Sequence, residues 1–240
     1  MKITVLNGTE KHGVTYKLKE IFLEKFKQNS EITEFYLPKD CPNFCVGCTN
    51  CFLKGESTCK DYVYINAIKT ALLEADLIVM TSPCYAMHTT GAMKALLDHF
   101  CYLWMSHRPE RVMFEKRAVI ITQCVGAGAK STAKDIKDSL SWWGISKIGI
   151  LKDTLFYDIV WNNLPEKKCE KLTTKVSKFA NKFSKINYSK RARTTLITKI
   201  KFYCSRFIKK QQYKKDASTV DNMYWKEKGW FDINRPWKQK

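Results

Sequence analysis

The residues best suited to chemistry are four cysteines that lie close together in the chain. Cys45, Cys48 and Cys51 follow a C-x-x-C-x-x-C spacing, and Cys59 comes after seven further residues. Four thiolates in so short a loop could hold a 4Fe–4S cluster, as ferredoxin-like runs do. A structural zinc is the competing metal, although zinc sites more often use two separate pairs. Reduced thiols without a metal are the third alternative, and Cys41 is a fifth thiol with no assigned role.

A second group of candidates lies in residues 7–15, between the first apolar run and the first segment of helical periodicity. Backbone N–H groups and the helix dipole make such a junction an anion site, where a phosphate would fit. The candidate residues supply hydroxyls, one ammonium group and a closely approaching backbone: Thr9, Lys11, Gly13, Val14 and Thr15. The alternative is a tight turn with a helix N-cap. The spacing matches neither G-x-G-x-x-G nor G-x-x-x-x-G-K-S/T, so dinucleotide-fingerprint and P-loop assignments both fail.

Two more loops follow apolar runs and could face the same ligand. Their candidate residues are Ser82, Pro83, Cys84, Tyr85 and Ala86 in the first, and Gln123, Gly126 and Gly128 in the second. Tyr85 could pack on an aromatic ring, although such residues often only cap a core. Small residues at 126–129 would let backbone amides approach a planar ligand. Three loops of this kind indicate a binding site more strongly together than any one does alone.

The elements that must position these loops alternate along the chain. Apolar runs predict strands over residues 3–6, 31–37, 75–80, 118–122 and 145–151. Helical periodicity predicts helices over residues 15–27, 62–73, 91–105, 132–143 and 165–185. Five alternations predict an α/β fold, a doubly wound parallel sheet with helices on both faces. In the strand order 2-1-3-4-5, ligands bind past strands one and three, so the three loops would line one crevice.

Composition and charge narrow the class of protein. The chain has 240 residues, 45% of them hydrophobic, which suits one folded domain with an extension. Ten cysteines without an export signal or a membrane-spanning run favour reduced thiols and a cytoplasmic location. The net charge is +19, and from residue 190 onward 15 Lys and Arg stand against four Asp and Glu. The extension therefore carries more than half of the excess charge.

The basic extension itself allows several partners. Leu196, Ile197, Ile200, Phe207 and Ile208 recur near helical spacing among basic residues. A basic amphipathic helix of this kind can make a peripheral contact with an anionic membrane or pack on a partner subunit. The alternative is a helix docked on its own domain with its charges solvated. Only charge points to nucleic acid, and no motif supports it, so we expect no nucleic-acid partner.

Taken together, these motifs resemble a known family over residues 1–185. The loop at residues 7–15, the Ser82-Pro83-Cys84-Tyr85 turn, residues 90–98 and the cysteine loop are similar to those of the flavodoxin-fold NAD(P)H-dependent FMN reductases, which include the iron–sulfur flavoproteins. The resemblance implies that the first loop holds the FMN phosphate, that the turn lies against the isoalloxazine ring and that residues 123–128 flank the other side. Glu10 departs from the family, which has proline at that position.

The resemblance also implies an activity. It is hydride transfer from NAD(P)H to the flavin and then electron delivery to a small-molecule or protein acceptor, with no catalytic acid or base from the protein. Flavin sites of the family are often completed by a second subunit, so we expect a homo-oligomer. Residues 1–185 would be the flavodoxin-like FMN domain, with a cysteine-rich insertion at 41–60, and residues 186–240 a basic helical extension.

Two other functions remain open from the sequence. One is a non-enzymatic electron carrier, in which the flavin or the cluster serves a protein partner docked on the basic extension. The other is a metal-stabilised nucleic-acid-binding module without flavin, which predicts salt-dependent affinity for nucleic acid.

Overall fold

A single parallel sheet forms the centre of the molecule. The computed structural model describes residues 1–156 and 159–238. Its strands are β1 (Lys2–Asn7), β2 (Glu31–Tyr36), β3 (Leu77–Pro83), β4 (Arg117–Val125) and β5 (Lys147–Leu155). They pair in the order β2-β1-β3-β4-β5, and every pairing is parallel. This confirms the predicted flavodoxin-like doubly wound sheet, whose order reverses between β1 and β3.

The helices follow the strands as predicted, with different ends. They are α1 (Val14–Leu23), α2 (Asn50–Leu53), α3 (Tyr62–Glu74), α4 (Gly91–His99), α5 (Ala129–Trp142), α6 (Glu166–Ser184), α7 (Leu196–Lys215) and α8 (Val220–Glu227). The helix predicted over residues 91–105 ends at His99, and a 3₁₀ turn at Cys101–Leu103 follows it. The apolar residues 100, 102, 103 and 105 are buried in the turn as well, so their pattern could not mark the end of the helix.

Two apolar layers cover the two faces of the sheet. Alternate residues of β3 point to opposite faces, so Ile78 and Met80 join one layer while Leu77 and Val79 join the other. Helices α3, α4 and α5 close the first layer, and α1 and α6 close the second. With both faces covered, the exposed ends of the strands are where loops can form a site.

The C-terminal extension adds a third, aromatic cluster. Phe202 of α7 and Trp225 of α8 pack with Trp230 against Met105 and Phe114, which precede β4. The extension is therefore docked on the domain. The helix does not dock through the apolar residues of its amphipathic pattern, because Leu196, Ile197, Ile200, Phe207 and Ile208 are all exposed. Within the described part of the chain, no helix has the length and apolar character needed to cross a membrane.

Candidate functional site

A cleft of about 120 Å³ opens at the carboxyl ends of β1, β3 and β4. Nine of the predicted site residues line it: Thr9, Lys11, Gly13, Val14, Thr15, Pro83, Cys84, Tyr85 and Gln123. The sheet topology thus brings the three predicted loops together at the point where strand order reverses.

The first loop presents unpaired polar groups to the cleft. The Gly8 N–H donates to the Thr81 carbonyl over 2.7 Å, and this bond fixes the loop to β3. At the start of α1, the N–H of Val14 donates to the Ile159 carbonyl, whereas those of Thr15 and Tyr16 have no acceptor among the described residues. The Thr15 hydroxyl is also buried without a partner. A helix N-terminus with free donors favours an anion at this position.

The opposite wall carries a second unpaired group and an aromatic ring. Gln123 is buried near the end of β4, and its Oε1 has no hydrogen-bond partner among the described residues. Buried polar atoms of this kind are rare in folded proteins unless a ligand or water satisfies them. Tyr85, which is 49% exposed, stands at the edge of the cleft. The wall therefore offers both a polar contact and a flat apolar surface.

The turn that carries Tyr85 is held tightly by its surroundings. Tyr85 and His88 exchange two backbone hydrogen bonds of 2.9 and 3.0 Å, and between them Ala86 and Met87 have φ values of +47° and +71°. Such backbone conformations persist only where neighbouring contacts impose them. Here the Ser131 hydroxyl donates to the Met87 carbonyl. The turn is consequently set in position by α5.

Four of the predicted residues do not line the cleft. The Ser82 hydroxyl is buried and accepts hydrogen bonds from Thr89 and Thr90, so it supports the turn from behind. Ala86 lies on the exposed turn, and Gly126 and Gly128 lie in the loop before α5.

Sequence reasoning also missed two lining residues. Val125 ends β4, and Ile159 belongs to the segment after β5. The position of Val125 at the end of a predicted strand could have identified it. Ile159 reaches the cleft only through the fold, by its bond to Val14.

The cysteine loop is built differently. Residues 42–49 are all exposed, and Cys45 and Cys48 with them, whereas Cys51 and Cys59 are half-buried. Burial raises the pKa of the Cys51 and Cys59 thiols, and the charge of Cys45 raises both further. Sequence reasoning missed Cys101, which lies against Cys51 and whose pKa burial raises to about 12.

The structure places Cys59 beside two buried polar side chains. Among the described residues, the only group of three or more potential metal ligands within 4.8 Å of one another is Cys59, Asp61 and His99. The His99 Nε2–H donates to the Asn43 carbonyl at 3.1 Å, which turns Nδ1 toward the Cys59 sulfur at 4.0 Å. Asp61 Oδ2 is buried without a hydrogen-bond partner and lies 3.8 Å from His99 Nε2. Among the described residues, the sulfur atoms of the four predicted cysteines do not form a group within 4.8 Å of one another.

An arginine connects the cysteine loop to the C-terminal extension. Arg108 is buried, and its guanidinium donates to the Cys51 carbonyl at 2.6 Å, to Glu56 at 3.0 Å and to Asp221 at 2.5 Å. Asp221, on α8, also accepts from His107 and Lys209. Burial alone would raise the pKa of Asp221, but these hydrogen bonds hold it at about 2. The extension therefore holds one end of the cysteine loop in place.

The chain is similar to known proteins. A family model described as NADPH-dependent FMN reductase matches residues 1–151. An iron-sulfur flavoprotein of Archaeoglobus fulgidus is 24% identical over 238 residues, covering 95% of this chain and 98% of the relative. An iron-sulfur flavoprotein of Clostridioides difficile is 26% identical over 189 residues, covering 76% of this chain and 78% of the relative.

The fold is also found among solved structures. An FMN-dependent NADH-azoreductase from Bacillus anthracis, in complex with FMN, superposes with a TM-score of 0.58 at 14% identity. The match covers 77% of this chain and all of the azoreductase. At that identity the likeness concerns the fold alone, whereas the family model spans more than half of the chain and includes all three loops of the cleft. The chain therefore belongs to the NADPH-dependent FMN reductase family and is an NAD(P)H-dependent FMN oxidoreductase.

Proposed function

We propose that the cleft at the carboxyl ends of β1, β3 and β4 holds FMN, with the phosphate at the start of α1 and the isoalloxazine ring against the Tyr85 turn. The observation that carries this assignment is the set of unpaired polar groups in the cleft. The Thr15 hydroxyl and Gln123 Oε1 are buried without partners, and the N–H groups of Thr15 and Tyr16 have no acceptor among the described residues. A phosphate and a polar ring edge would satisfy them.

Each lining residue would then have a definite role. Thr15, with Thr9 and the first amides of α1, would donate hydrogen bonds to the phosphate, and Lys11 would add a positive charge. Gly13 and Val14 would let the backbone pass close to it. Pro83, Cys84 and Tyr85 would form one wall of the ring site, with Ser82 and Ala86 fixing their turn, and Gln123 would contact the polar edge of the ring. Gly126 and Gly128 would shape the loop on the other side.

When bound, FMN would supply the redox chemistry, taking a hydride from NAD(P)H and passing electrons to the acceptor. The protein would contribute orientation and exclusion of water, because no lining side chain is placed as a general acid or base. Two exposed apolar residues line the cleft, Tyr85 and Val125, and two more are exposed close to them in the chain or the sheet: Met87 in the Tyr85 turn and Phe156 directly after β5. A nicotinamide, a small-molecule acceptor or a second subunit would cover them, which supports a homo-oligomer whose subunits complete the site.

We further propose that Cys45, Cys48, Cys51 and Cys59 hold a 4Fe–4S cluster. Four thiols within residues 45–59 are donors that suit this cluster. Two relatives that span most of the chain are named iron-sulfur flavoproteins. The Arg108 contact to the Cys51 carbonyl would place a positive charge beside the cluster and favour its reduced form.

The first experiment is an absorption spectrum of protein purified without oxygen, with assays for iron and zinc. A two-band flavin spectrum that bleaches on addition of NAD(P)H is expected, with an iron-dependent shoulder. Cys48→Ser should remove the iron and keep the flavin. A colourless protein that takes up no added FMN would refute the flavin site, and flavin without iron, or with zinc, would refute the cluster alone. Steady-state NAD(P)H consumption with a small acceptor then separates turnover from simple electron carriage.

A further inference from the structure

Helix α7 presents an apolar surface to solvent. Six of its apolar side chains are between 45% and 72% exposed, and we call them the α7 stripe: Leu196, Ile197, Ile200, Tyr203, Phe207 and Ile208. Residues at spacings of three, four and seven share a helix face, so the stripe runs along one side for more than three turns. A contiguous apolar surface of this size marks a contact with something outside the chain.

The opposite side of the same helix is fully used by the fold. Phe202 is buried in the aromatic cluster of the extension, and Lys209 donates to Asp221 over 2.9 Å. Arg206 donates to the carbonyls of Asp232 and Asn234. Because these contacts fix the rotation of α7, turning the stripe inward would expose Phe202 and bring two buried cations into water. The outward position of the stripe is therefore set by the rest of the extension.

The charges on α7 all have one sign. The helix contains seven Lys and Arg and no Asp or Glu. Lys199 and Lys210 lie along one border of the stripe and Lys201 along the other, by helical spacing. Lys210, Lys214 and Lys215 make no hydrogen bond or ion pair within residues 1–156 and 159–238, so their ammonium groups are available to an external anion.

More positive charge lies beyond the N-terminal end of α7. The Ser146 hydroxyl accepts the N–H of Thr195, so the cap of the helix sits beside Lys147 at the start of β5. Lys147 and Arg193 belong to the rim of an apolar cleft that includes Ile148 and Phe183. This cleft lies at the amino ends of β4 and β5, whereas the proposed flavin cleft lies at the carboxyl ends.

We propose that the α7 stripe lies on the surface of an anionic lipid membrane, with its apolar side chains among the acyl chains and the flanking lysines at the lipid phosphates. An apolar face bordered by lysines is the pattern of helices that lie in the membrane interface. Charge decides against a second copy as the occupant, because two such helices face to face would bring ten lysines together without a carboxylate on either helix. This inference does not depend on the flavin site.

The test is flotation of the full-length protein with phosphatidylcholine vesicles, with and without phosphatidylglycerol. We expect binding only to the anionic vesicles and release at high salt. Ile200→Glu combined with Phe207→Glu should lower the bound fraction about tenfold, since two charges would enter the apolar layer. Lys210→Glu combined with Lys214→Glu should lower it by a similar factor. Val63→Glu is the matched control, because Val63 is 70% exposed on α3, outside the stripe.

Three outcomes would overturn the proposal. The first is no binding to anionic vesicles. The second is full binding by the variants in the α7 stripe, which would show that charge alone, without the apolar side chains, explains the binding. The third is an oligomer, seen by gel filtration with light scattering, that the stripe variants convert to monomers while the vesicles recruit nothing; a second copy would then be the occupant. Unfolding transitions of all variants should stay within about 1 kcal/mol of the parent, because the substituted side chains are exposed.

Discussion

The proposed flavin cleft and the cysteine loop differ in what holds them in place. The cleft is formed by the ends of three paired strands, and its loops are tied to the sheet by backbone bonds such as Gly8 N–H to the Thr81 carbonyl. In the cysteine loop, residues 42–49 are all exposed. Its best-fixed points are the Cys51 carbonyl, held by Arg108, and the Cys59 sulfur, beside His99. One site is a consequence of the topology, while the other depends on partners distant in sequence.

This difference indicates that the two sites should fail separately. Changes in the C-terminal extension that leave the sheet intact should spare the cleft, whereas the cysteine loop should respond to them. The link is Asp221, which connects α8 to Arg108 and through it to Cys51. Variants on each side of this link can therefore test whether the two sites fail separately.

The largest effect is expected for Asp221→Asn. The substitution leaves the buried Lys209 without its anion and Arg108 with Glu56 alone, which should lower the free energy of unfolding by about 3 to 5 kcal/mol. Iron retention should fall with it, because Arg108 would no longer be held against the Cys51 carbonyl. Urea denaturation and an iron-to-flavin ratio measure the two effects. If the ratio stays at the parent value while stability falls, the link between extension and loop is refuted.

Lowering the pH should remove the same contribution of the Asp221 carboxylate to the free energy of unfolding. The folded-state pKa of Asp221 is about 2, below the ordinary value of 3.8. A carboxyl group with a lowered pKa contributes stability above its unfolded pKa and loses it as the pH falls through the folded value. The parent should therefore lose this contribution between about pH 4 and pH 2, and Asp221→Asn should not. Asp232→Asn is the control, since Asp232 is exposed and only its backbone carbonyl is bonded to Arg206 and Arg235.

A smaller effect is expected at the cleft from Gly128→Ala. Gly128 has φ +103°, and a Cβ there would stand 2.3 Å from the Cys84 sulfur. Strain and displacement of Cys84 should cost about 2 to 3 kcal/mol of stability and weaken FMN binding, with iron unchanged. Gly126→Ala is the control, because φ is +77° but the space around it is open, so about 1 kcal/mol is expected. If Gly128→Ala and Gly126→Ala lose equal amounts of stability and FMN affinity, Cys84 does not define the wall of the cleft.

The sequence was sufficient to predict the sheet and its loops because their signals are local. Apolar runs such as residues 75–80 identify strands, and parallel order then places their following loops together. Ile159 escaped prediction because its approach to Val14 joins residues far apart in the chain. Arg108 escaped for the same reason: nothing near it in sequence shows that Cys51 and Asp221 are its partners. The sequence left open which side of α7 faces solvent, because its apolar pattern fits an external partner as well as docking on the domain.

Thr15→Val should have opposite effects on the apoprotein and on flavin binding. The buried Thr15 hydroxyl has no partner in the described structure, so replacing it with a methyl group should stabilise the apoprotein by up to about 1 kcal/mol. The same change removes a proposed donor to the phosphate, so the FMN dissociation constant should rise about tenfold or more. Fluorescence titration measures the FMN dissociation constant, and thermal unfolding measures the stability of the apoprotein. A destabilised apoprotein with unchanged affinity would show that the hydroxyl serves the fold and not the ligand.

The smallest effect is expected for Lys11→Met, because Lys11 is exposed and its charge is screened by solvent. The FMN dissociation constant should rise by roughly threefold at low salt, and the difference should fade at about 0.5 M salt, where the Debye length is only a few ångströms. Glu10→Gln, one residue earlier and equally exposed, should lower the dissociation constant by a similar or smaller factor. If the two substitutions change the FMN dissociation constant in opposite directions, the phosphate lies at this loop. A change in loop shape would instead raise the dissociation constant in both variants, and salt would not alter that effect. Iron content should be the same in both variants, because neither residue contacts the cysteine loop.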